Sequence, residues 1–492
     1  MGNDMKRKEN SFLIIYDDSF PKSDIIKDII GEKGFADVIV KRKTLFEYYK
    51  ENFFNVLNNA SWIKLNSVYS IEKLNENLLE IYDEKSKVIH CFANYIISDT
   101  KRNRKDIDEL IQSSQITKGI SDGKASIIFF PSLKSYSKYI RETLDSEMLP
   151  YESVKQIAFT QEISGFTNIS VISNFITCIT GNFDSRYFNS LSGDEYVINK
   201  SSSNKKKILS EYTFYRLLPD DMKYWFVMPF DYREEGDRAI YSMERMHMTD
   251  LAIKWVHGSI DKEEFEFILD KYFYFFNNRH SKRISIDAYK EISDKLYVKK
   301  VLERIDRLKK TKEFEGIAKI IEAGTDEKNI DAIVEKYLKV KHKIESNIDF
   351  RYISVIGHGD PCFANAMYNK STRTLKFIDP KGALDETELW TNPYYDIAKL
   401  SHSICGRYDF FNNALFEIDI DEKLKCKLEI PFNNSPFIEI FRNKLEENRY
   451  DYKCVRIYEA SLFLSMLPFH IDNPKKVLGF ILNAINIIKE LE

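Results

Sequence analysis

Apolar residues fall in short uninterrupted runs over residues 1–150 and mostly at helical spacing from Thr249 onward. In the first stretch, Phe12–Tyr16 is an apolar run of the kind that a buried parallel strand carries. Ser23–Gly31 follows with helical character, then a second strand around Val38–Val40. Thr44–Asn58 and Ser70–Tyr82 read as helices, and Val88–Phe92 and Ser126–Phe130 as further strands. Strands alternating with helices predict an α/β domain over residues 1–150 with a mainly parallel sheet.

The pattern changes near Ile157. Strands are expected around Ala158–Ile163, Val171–Ile179 and Glu195–Asn199, then a helix over Lys205–Leu217, then strands near Trp225–Pro229 and Ala239–Arg245. That is an antiparallel sheet interrupted by one helix, placed over residues 151–247. Residues 248–492 are expected to be helical except for Val355–Asp379. Phe265, Phe267, Ile268, Tyr272 and Phe275 show the spacing of a helix with one buried face.

Composition narrows the classes. With 43% hydrophobic and 30% charged residues, the chain is globular and long enough for several domains. A net charge of −3 argues against nucleic acid as the main partner. The longest stretch without a charged side chain, Ile163–Phe183, holds too many Ser, Thr and Asn for a bilayer. No apolar signal core follows the basic N-terminal residues, so no membrane segment is expected. The six cysteines are scattered with no CxxC pair, which fits reduced thiols and a cytoplasmic setting. Asp17 and Asp18 read as turn acids at a strand end. A haloacid-dehalogenase-like site wants two Asp separated by one residue. A receiver site wants an Asp on the third strand, and no Asp lies between Asp37 and Asp83. Residues 1–150 also lack a Gly-rich phosphate loop, so their role stays unassigned.

The chemistry concentrates in Val355-Ile-Gly-His-Gly-Asp-Pro-Cys-Phe-Ala-Asn365 and in Leu375-Lys-Phe-Ile-Asp379. Two short apolar strands each deliver an aspartate to a loop. Phosphoryl transfer needs a metal on the phosphates, a carboxylate to orient the acceptor hydroxyl and a cation on the phosphates. Asp360 suits the acceptor proton, and Asn365 with Asp379 offers two hard oxygen ligands for Mg²⁺.

The string His358-Gly-Asp-xxxx-Asn365, Ile378-Asp379 and Tyr395-Asp-Ile-Ala398 resembles the aminoglycoside phosphotransferase and choline kinase superfamily of protein-kinase-like small-molecule kinases. The resemblance covers roughly residues 155–490. It implies an α+β bilobal domain with a mostly helical C-lobe, ATP and Mg²⁺ as cofactors, and a small-molecule acceptor. It makes Asp360 the catalytic base, Asn365 and Asp379 the metal ligands, Asp396 the brace of the catalytic loop, and His358 a structural residue. It also implies an upstream Lys–Glu pair on the phosphates. Lys200, at the end of Tyr196-Val-Ile-Asn-Lys200, and Glu211, on the following helix, match it in type and order. The phosphate-covering loop it implies is matched by Gly165, Thr167 and Asn168 in Ser164–Ser170, with Thr180-Gly-Asn182 as a competitor. The backbone from Glu244 to Met246 takes the adenine hinge, with Met243 in the pocket wall.

Acceptor residues in such kinases lie in the helical lobe, where Trp255, Asp385, Trp390, Asn392, Tyr394, Tyr408 and Asp409 are candidates. Lys381 stands where choline kinases carry an acidic or aromatic pair. That moves the expectation toward a sugar, a polyol or another amino alcohol, and by fold-level analogy toward bacterial surface-polysaccharide or capsule biosynthesis. Two alternatives stay open: a nucleotide-binding pseudokinase scaffold, and a bifunctional enzyme whose first domain handles a sugar nucleotide.

Overall fold

The computed structural model describes residues 12–54, 60–66, 78, 81–97, 101–180, 189–193 and 196–492. Most of the expected helix at Ser70–Tyr82, and Gly181-Asn182 of the competing loop, lie outside them. The chain divides into two compact units, Met1–Phe183 and Asp184–Glu492. The boundary expected at residue 150 therefore moves to 183.

The first unit contains β1 (Leu13–Asp17), a two-residue hairpin of β2 (Ile39–Val40) and β3 (Lys43–Thr44), β4 (Ser61–Leu65), β5 (Val88–Phe92) and β6 (Tyr95–Ile97). It continues with β7 (Thr117–Ser121), β8 (Lys124–Phe130), β9 (Phe159–Glu162) and β10 (Phe166–Asn168). Six strands form one sheet in the order β4-β1-β5-β8-β7-β9. β1 lies parallel to β4 and β5, and β9 parallel to β7, but β8 runs antiparallel to both β5 and β7. The sheet is thus mixed rather than mainly parallel. The reason is a tight turn: Asp122 (φ 52°) and Gly123 (φ 72°) connect β7 to β8 with both residues left-handed, the backbone that a two-residue hairpin needs.

All five residues of β1 are buried. Asp17 serves the turn through Oδ1, which accepts the Ser19 N–H at 2.9 Å, and also reaches into the core. Its Oδ2 lies 2.9 Å from His90 Nε2 inside the core, and the Tyr136 hydroxyl sits 3.3 Å from Nδ1. Asp18 reaches past the turn, accepting the backbone N–H groups of Phe35 (2.9 Å) and Ala36 (3.1 Å) at the start of the short helix Phe35–Asp37. Val171–Ile179, expected as a strand, is the helix Ile172–Thr180 with Phe175 and Ile179 buried.

In the second unit, β11 (Asn189–Gly193), β12 (Val197–Ser202), β13 (Pro229–Glu235) and β14 (Arg238–Glu244) form an antiparallel sheet in the order β11-β12-β14-β13. The strand expected at Trp225–Pro229 starts only at Pro229, because Trp225 and Phe226 close a turn after the short helix Asp220–Lys223. The helix Lys205–Leu217 packs on this sheet, where Ile208, Ala239 and Tyr241 form a small apolar core.

The rest is mostly helical. β15 (Thr249–Asp250), β16 (Ser281–Arg283), β17 (Ile353–Ile356), β18 (Ala366–Asn369), β19 (Thr374–Phe377) and β20 (Trp390–Thr391) make two three-stranded sheets, β15-β18-β19 and β16-β17-β20. The helix Tyr452–Met466 is buried on every side from Cys454 to Ser465, so it forms the centre of the helical body. The segment joining β17 to β18 carries residues 357–365, and the residues after β19 carry Asp379. Among the described residues no helix is long and apolar enough to cross a membrane.

Candidate active site

Lys200 sits on the central strand β12, paired with Tyr241 of β14, and is 2% exposed. Burial of an ammonium is costly without partners. Here Nζ lies 2.7 Å from Glu211 Oε2 and 2.7 Å from Asp379 Oδ1. Burial disfavours its charge, but Asp379, Tyr241 and Glu211 outweigh that and hold its proton more tightly than in a free lysine. Glu211 projects from the helix Lys205–Leu217, whose N-terminus is capped by the Asn204 side chain on the Lys207 N–H. The Tyr241 hydroxyl donates to Glu211 Oε2 at 3.1 Å. Burial would raise the Asp379 carboxyl; Lys200 holds it below the usual carboxylate range instead. Asp379 has a left-handed backbone (φ 54°) and keeps 39% of its side chain exposed.

The loop at residues 357–365 is fixed by its own backbone and by distant side chains. The Asp360 N–H donates to His358 Nδ1 at 3.0 Å, and His358 Nε2 donates to the Ile378 carbonyl at 2.9 Å. Those two bonds define a neutral ring with its proton on Nε2. Burial also pushes the His358 pKa down. The ring stacks on Phe226 at 5.7 Å, so His358 ties the loop to the strand end before Asp379 and does no proton chemistry. Asp396 Oδ2 accepts the His358 N–H (2.9 Å) and Oδ1 accepts the Gly359 N–H (2.8 Å). Gly359 has φ 84°, and a Cβ there would lie 2.4 Å from Lys381 Cβ, so no other residue fits this turn.

Asn365 Nδ2 donates to the Asp360 carbonyl at 2.8 Å, and the Asn365 carbonyl accepts the Ile378 N–H at 3.0 Å. This ties the Asn365 loop to the segment that carries Asp379. The Asn365 amide nitrogen is engaged, so its side-chain oxygen is the atom that could take a metal. Among the described residues no group of three or more His, Cys, Asp or Glu could hold a metal. An amide oxygen and one carboxylate suit Mg²⁺, which is commonly held by one or two protein oxygens together with phosphates and water.

Glu244 ends β14, and Met246 lies two residues on, in the irregular stretch leading to β15. Arg245 N–H donates to the Tyr196 carbonyl at 2.8 Å, closing that stretch onto the start of β12. Glu211, Phe226, Tyr241, Met243, Phe377 and Asp379 line a cleft beside Lys200.

The expectation for Gly165, Thr167 and Asn168 needs correction. They lie in the first unit, not in the four-stranded sheet of Lys200. β10 pairs with β6, Thr167 opposite Ile96 and Asn168 opposite Tyr95. Asn168 Oδ1 accepts the Ser170 N–H (2.9 Å), a turn-forming bond.

Several acceptor candidates are structural. Trp255 is buried among Phe265, Phe363, Phe432 and Phe437. Asn392 and Asp385 cap helices, and Tyr394 is buried. Tyr408 stacks on His402 at 4.2 Å. Lys282 lies 4.0 Å over the Trp390 ring. Asp409 is 1% exposed and its carboxyl is pushed up to about 7, chiefly by burial, with Ser403 acting against and Asp360 adding to it.

Three residues of the site do not stand out in the sequence. Lys399 Nζ lies 2.9 Å from Asp360 Oδ1. Arg279 lies 2.8 Å from Asp396 Oδ2. Ser403 Oγ accepts the Phe363 N–H at 3.0 Å. Lys399 does leave a signal, an Asp–x–x–Lys spacing on a helix, which puts Asp396 and Lys399 on one face.

No protein-family model matches the chain, and no curated protein matches it in sequence. Among solved structures it is similar to aminoglycoside phosphotransferase APH(4)-Ia. One structure of that protein is 11% identical and covers 65% of this chain and 97% of its own, with a TM-score of 0.36. The apo form of a thermostable mutant gives 12% identity, 64% and 98% coverage and a TM-score of 0.35. A ternary complex with AMP-PNP and hygromycin B gives 12%, 65%, 98% and 0.36.

Proposed function

We propose that the Asp184–Glu492 unit is an ATP-dependent phosphotransferase that phosphorylates a hydroxyl of a sugar, polyol or amino alcohol. One observation carries this reading: a buried lysine on a strand bridges a helical glutamate and a loop aspartate at 2.7 Å each. These groups come from three separate segments, and together they hold a buried cation of the kind that phosphoryl transfer needs on the phosphates.

In this reading Lys200 binds the α- and β-phosphates and Glu211 keeps it in place. Asn365 and Asp379 would hold Mg²⁺, which when bound neutralises phosphate charge. The backbone between Glu244 and Met246 hydrogen-bonds the base. Asp360 orients the acceptor hydroxyl and takes its proton as the new O–P bond forms and the bond from Pγ to the bridging oxygen breaks. ADP leaves with that oxygen.

The test has two parts. Mg²⁺-ATP should raise the melting temperature of the full chain, since a ligand of the folded state stabilises it by mass action. A screen of sugars, polyols and amino alcohols should then show acceptor-dependent ADP release. No shift with millimolar ATP or GTP and metal would rule the reading out.

A further inference from the structure

One helix holds the catalytic loop at three points. Pro393–Ile404 presents Asp396, Lys399 and Ser403 at i, i+3 and i+7, a single helical face. Asp396 takes the His358 and Gly359 N–H groups, Lys399 takes the Asp360 carboxylate and Ser403 takes the Phe363 N–H. The first and third contacts fix backbone. The second fixes a side chain, that of Asp360.

We propose that Lys399 is a positioning residue of the phosphoryl-transfer site, holding the Asp360 carboxylate in the orientation that meets the acceptor hydroxyl. The inference rests on the phosphotransferase reading above. Asp360 is a third exposed (34%), so loss of the lysine would let its carboxylate turn toward solvent. Lys399 is 9% exposed and its cation lies 2.9 Å away, so each group restrains the other. His358, Cys362, Tyr395, His402 and Asp409 also lie within electrostatic reach of Asp360. Tyr395 is itself held by the Lys300 ammonium at 2.8 Å, which keeps the helix face ordered behind the pair.

The experiment uses the full chain with Mg²⁺-ATP and reads ADP release, to a responding acceptor where the screen finds one and otherwise to water. Lys399→Met should keep the ATP-induced rise in melting temperature and the KM for ATP, and lower turnover about 10- to 100-fold. Lys399→Arg should recover most of that loss. Added to Asp360→Asn, Lys399→Met should cost less than about 2-fold more, because a residue acting through Asp360 has nothing left to position. Lys399→Gln replaces the methionine variant if the latter does not give a native circular dichroism spectrum. Turnover of Lys399→Met within 2-fold of wild type, or an equal loss on the Asp360→Asn background, overturns the proposal alone. Absence of an ATP-induced shift in the wild type overturns the phosphotransferase reading. A wild-type chain that binds Mg²⁺-ATP and releases no ADP to any acceptor or to water overturns both.

Discussion

Arg279 and Asp396 form a 2.8 Å ion pair with neither side chain exposed to solvent. Arg279 also donates to the Pro393 carbonyl at 2.8 Å, at the start of the helix that carries Asp396. The pair stands behind the catalytic loop, so its geometry reaches the site through Asp396 and the two backbone N–H groups that it accepts.

Breaking that pair should be costly. Arg279→Met leaves a buried carboxylate without its cation, a loss of roughly 3–5 kcal/mol for a buried pair. Arg279→Lys keeps the charge but not the fork that reaches both Asp396 and Pro393, and should fall between. Urea unfolding of the three proteins measures this. A loss below about 1 kcal/mol for Arg279→Met would mean that the loop is braced by other contacts.

Lys200 and Asp379 touch each other, yet their loss should differ in kind. On the proposed phosphotransferase reading, Lys200→Ala removes a cation from the phosphates; it also leaves buried Glu211 with the Tyr241 hydroxyl and the more distant Lys207 at 3.5 Å. It should weaken ATP binding with or without metal, by about 1.5–3 kcal/mol for a charge-assisted contact. Asp379→Ala should leave metal-free ATP binding near wild type and erase most of the Mg²⁺-dependent gain. Calorimetry with and without Mg²⁺ separates the two. Equal effects in both conditions would remove Asp379 from the metal.

The loop that carries Asp360 and Asn365 is legible in the sequence because its pattern is local. Asp360 and Asn365 lie five residues apart, and the strands on either side announce themselves as apolar runs. Lys200 and Glu211 are legible because a strand and the next helix carry them in order. Arg279 is not: it ends a long amphipathic helix, and its partner lies 117 residues away. The first unit departs from expectation for two reasons. Asp122-Gly123 is a strong hairpin signal, and it outweighs the strand–helix alternation around it to give the antiparallel β8. Residues 171–179 are rich in β-branched side chains, which favours a strand. Their apolar positions Val171, Ile172, Phe175, Ile176 and Ile179 repeat at helical spacing, and that spacing decides the outcome. The placement of β9 and β10 has a different cause. Both pair with strands of the first unit that are more than 30 residues upstream, and no local pattern shows such pairing.

The boundary at residue 183 has a direct consequence. A fragment of residues 184–492 retains every strand of the Lys200 sheet and all of the catalytic loop. It should be soluble and should show an ATP-induced shift. A fragment starting at residue 155 carries β9 and β10 without β7 and β6, and so exposes unpaired strand edges. It should aggregate more. Light scattering of the two fragments at equal concentration checks this. A shorter fragment that aggregates while the longer one stays monodisperse would move the boundary back toward residue 150.

Asp409 gives the chain a pH dependence whose sign follows from burial. Its carboxyl is pushed up to about 7, and so is that of Asp250, through burial first and with Asp409 adding to it. Unfolded, each would titrate near the ordinary 3.8. Between these values the folded state holds protons that the unfolded state has released. The contribution to stability is therefore fully present below about pH 4 and is lost as the pH rises through about 7. Asp409→Asn keeps the shape, carries no charge at any pH and relieves Asp250 of a neighbouring carboxylate. It should match the wild type near pH 4 and exceed it at pH 8. The expected gain is roughly 1–3 kcal/mol, since each tenfold change in an acid's ionisation constant is worth about 1.4 kcal/mol. Urea unfolding at pH 4.5, 6 and 8 measures the difference. A variant that is less stable than wild type at pH 8 would show that the ionised Asp409 is paired and needed in the folded protein.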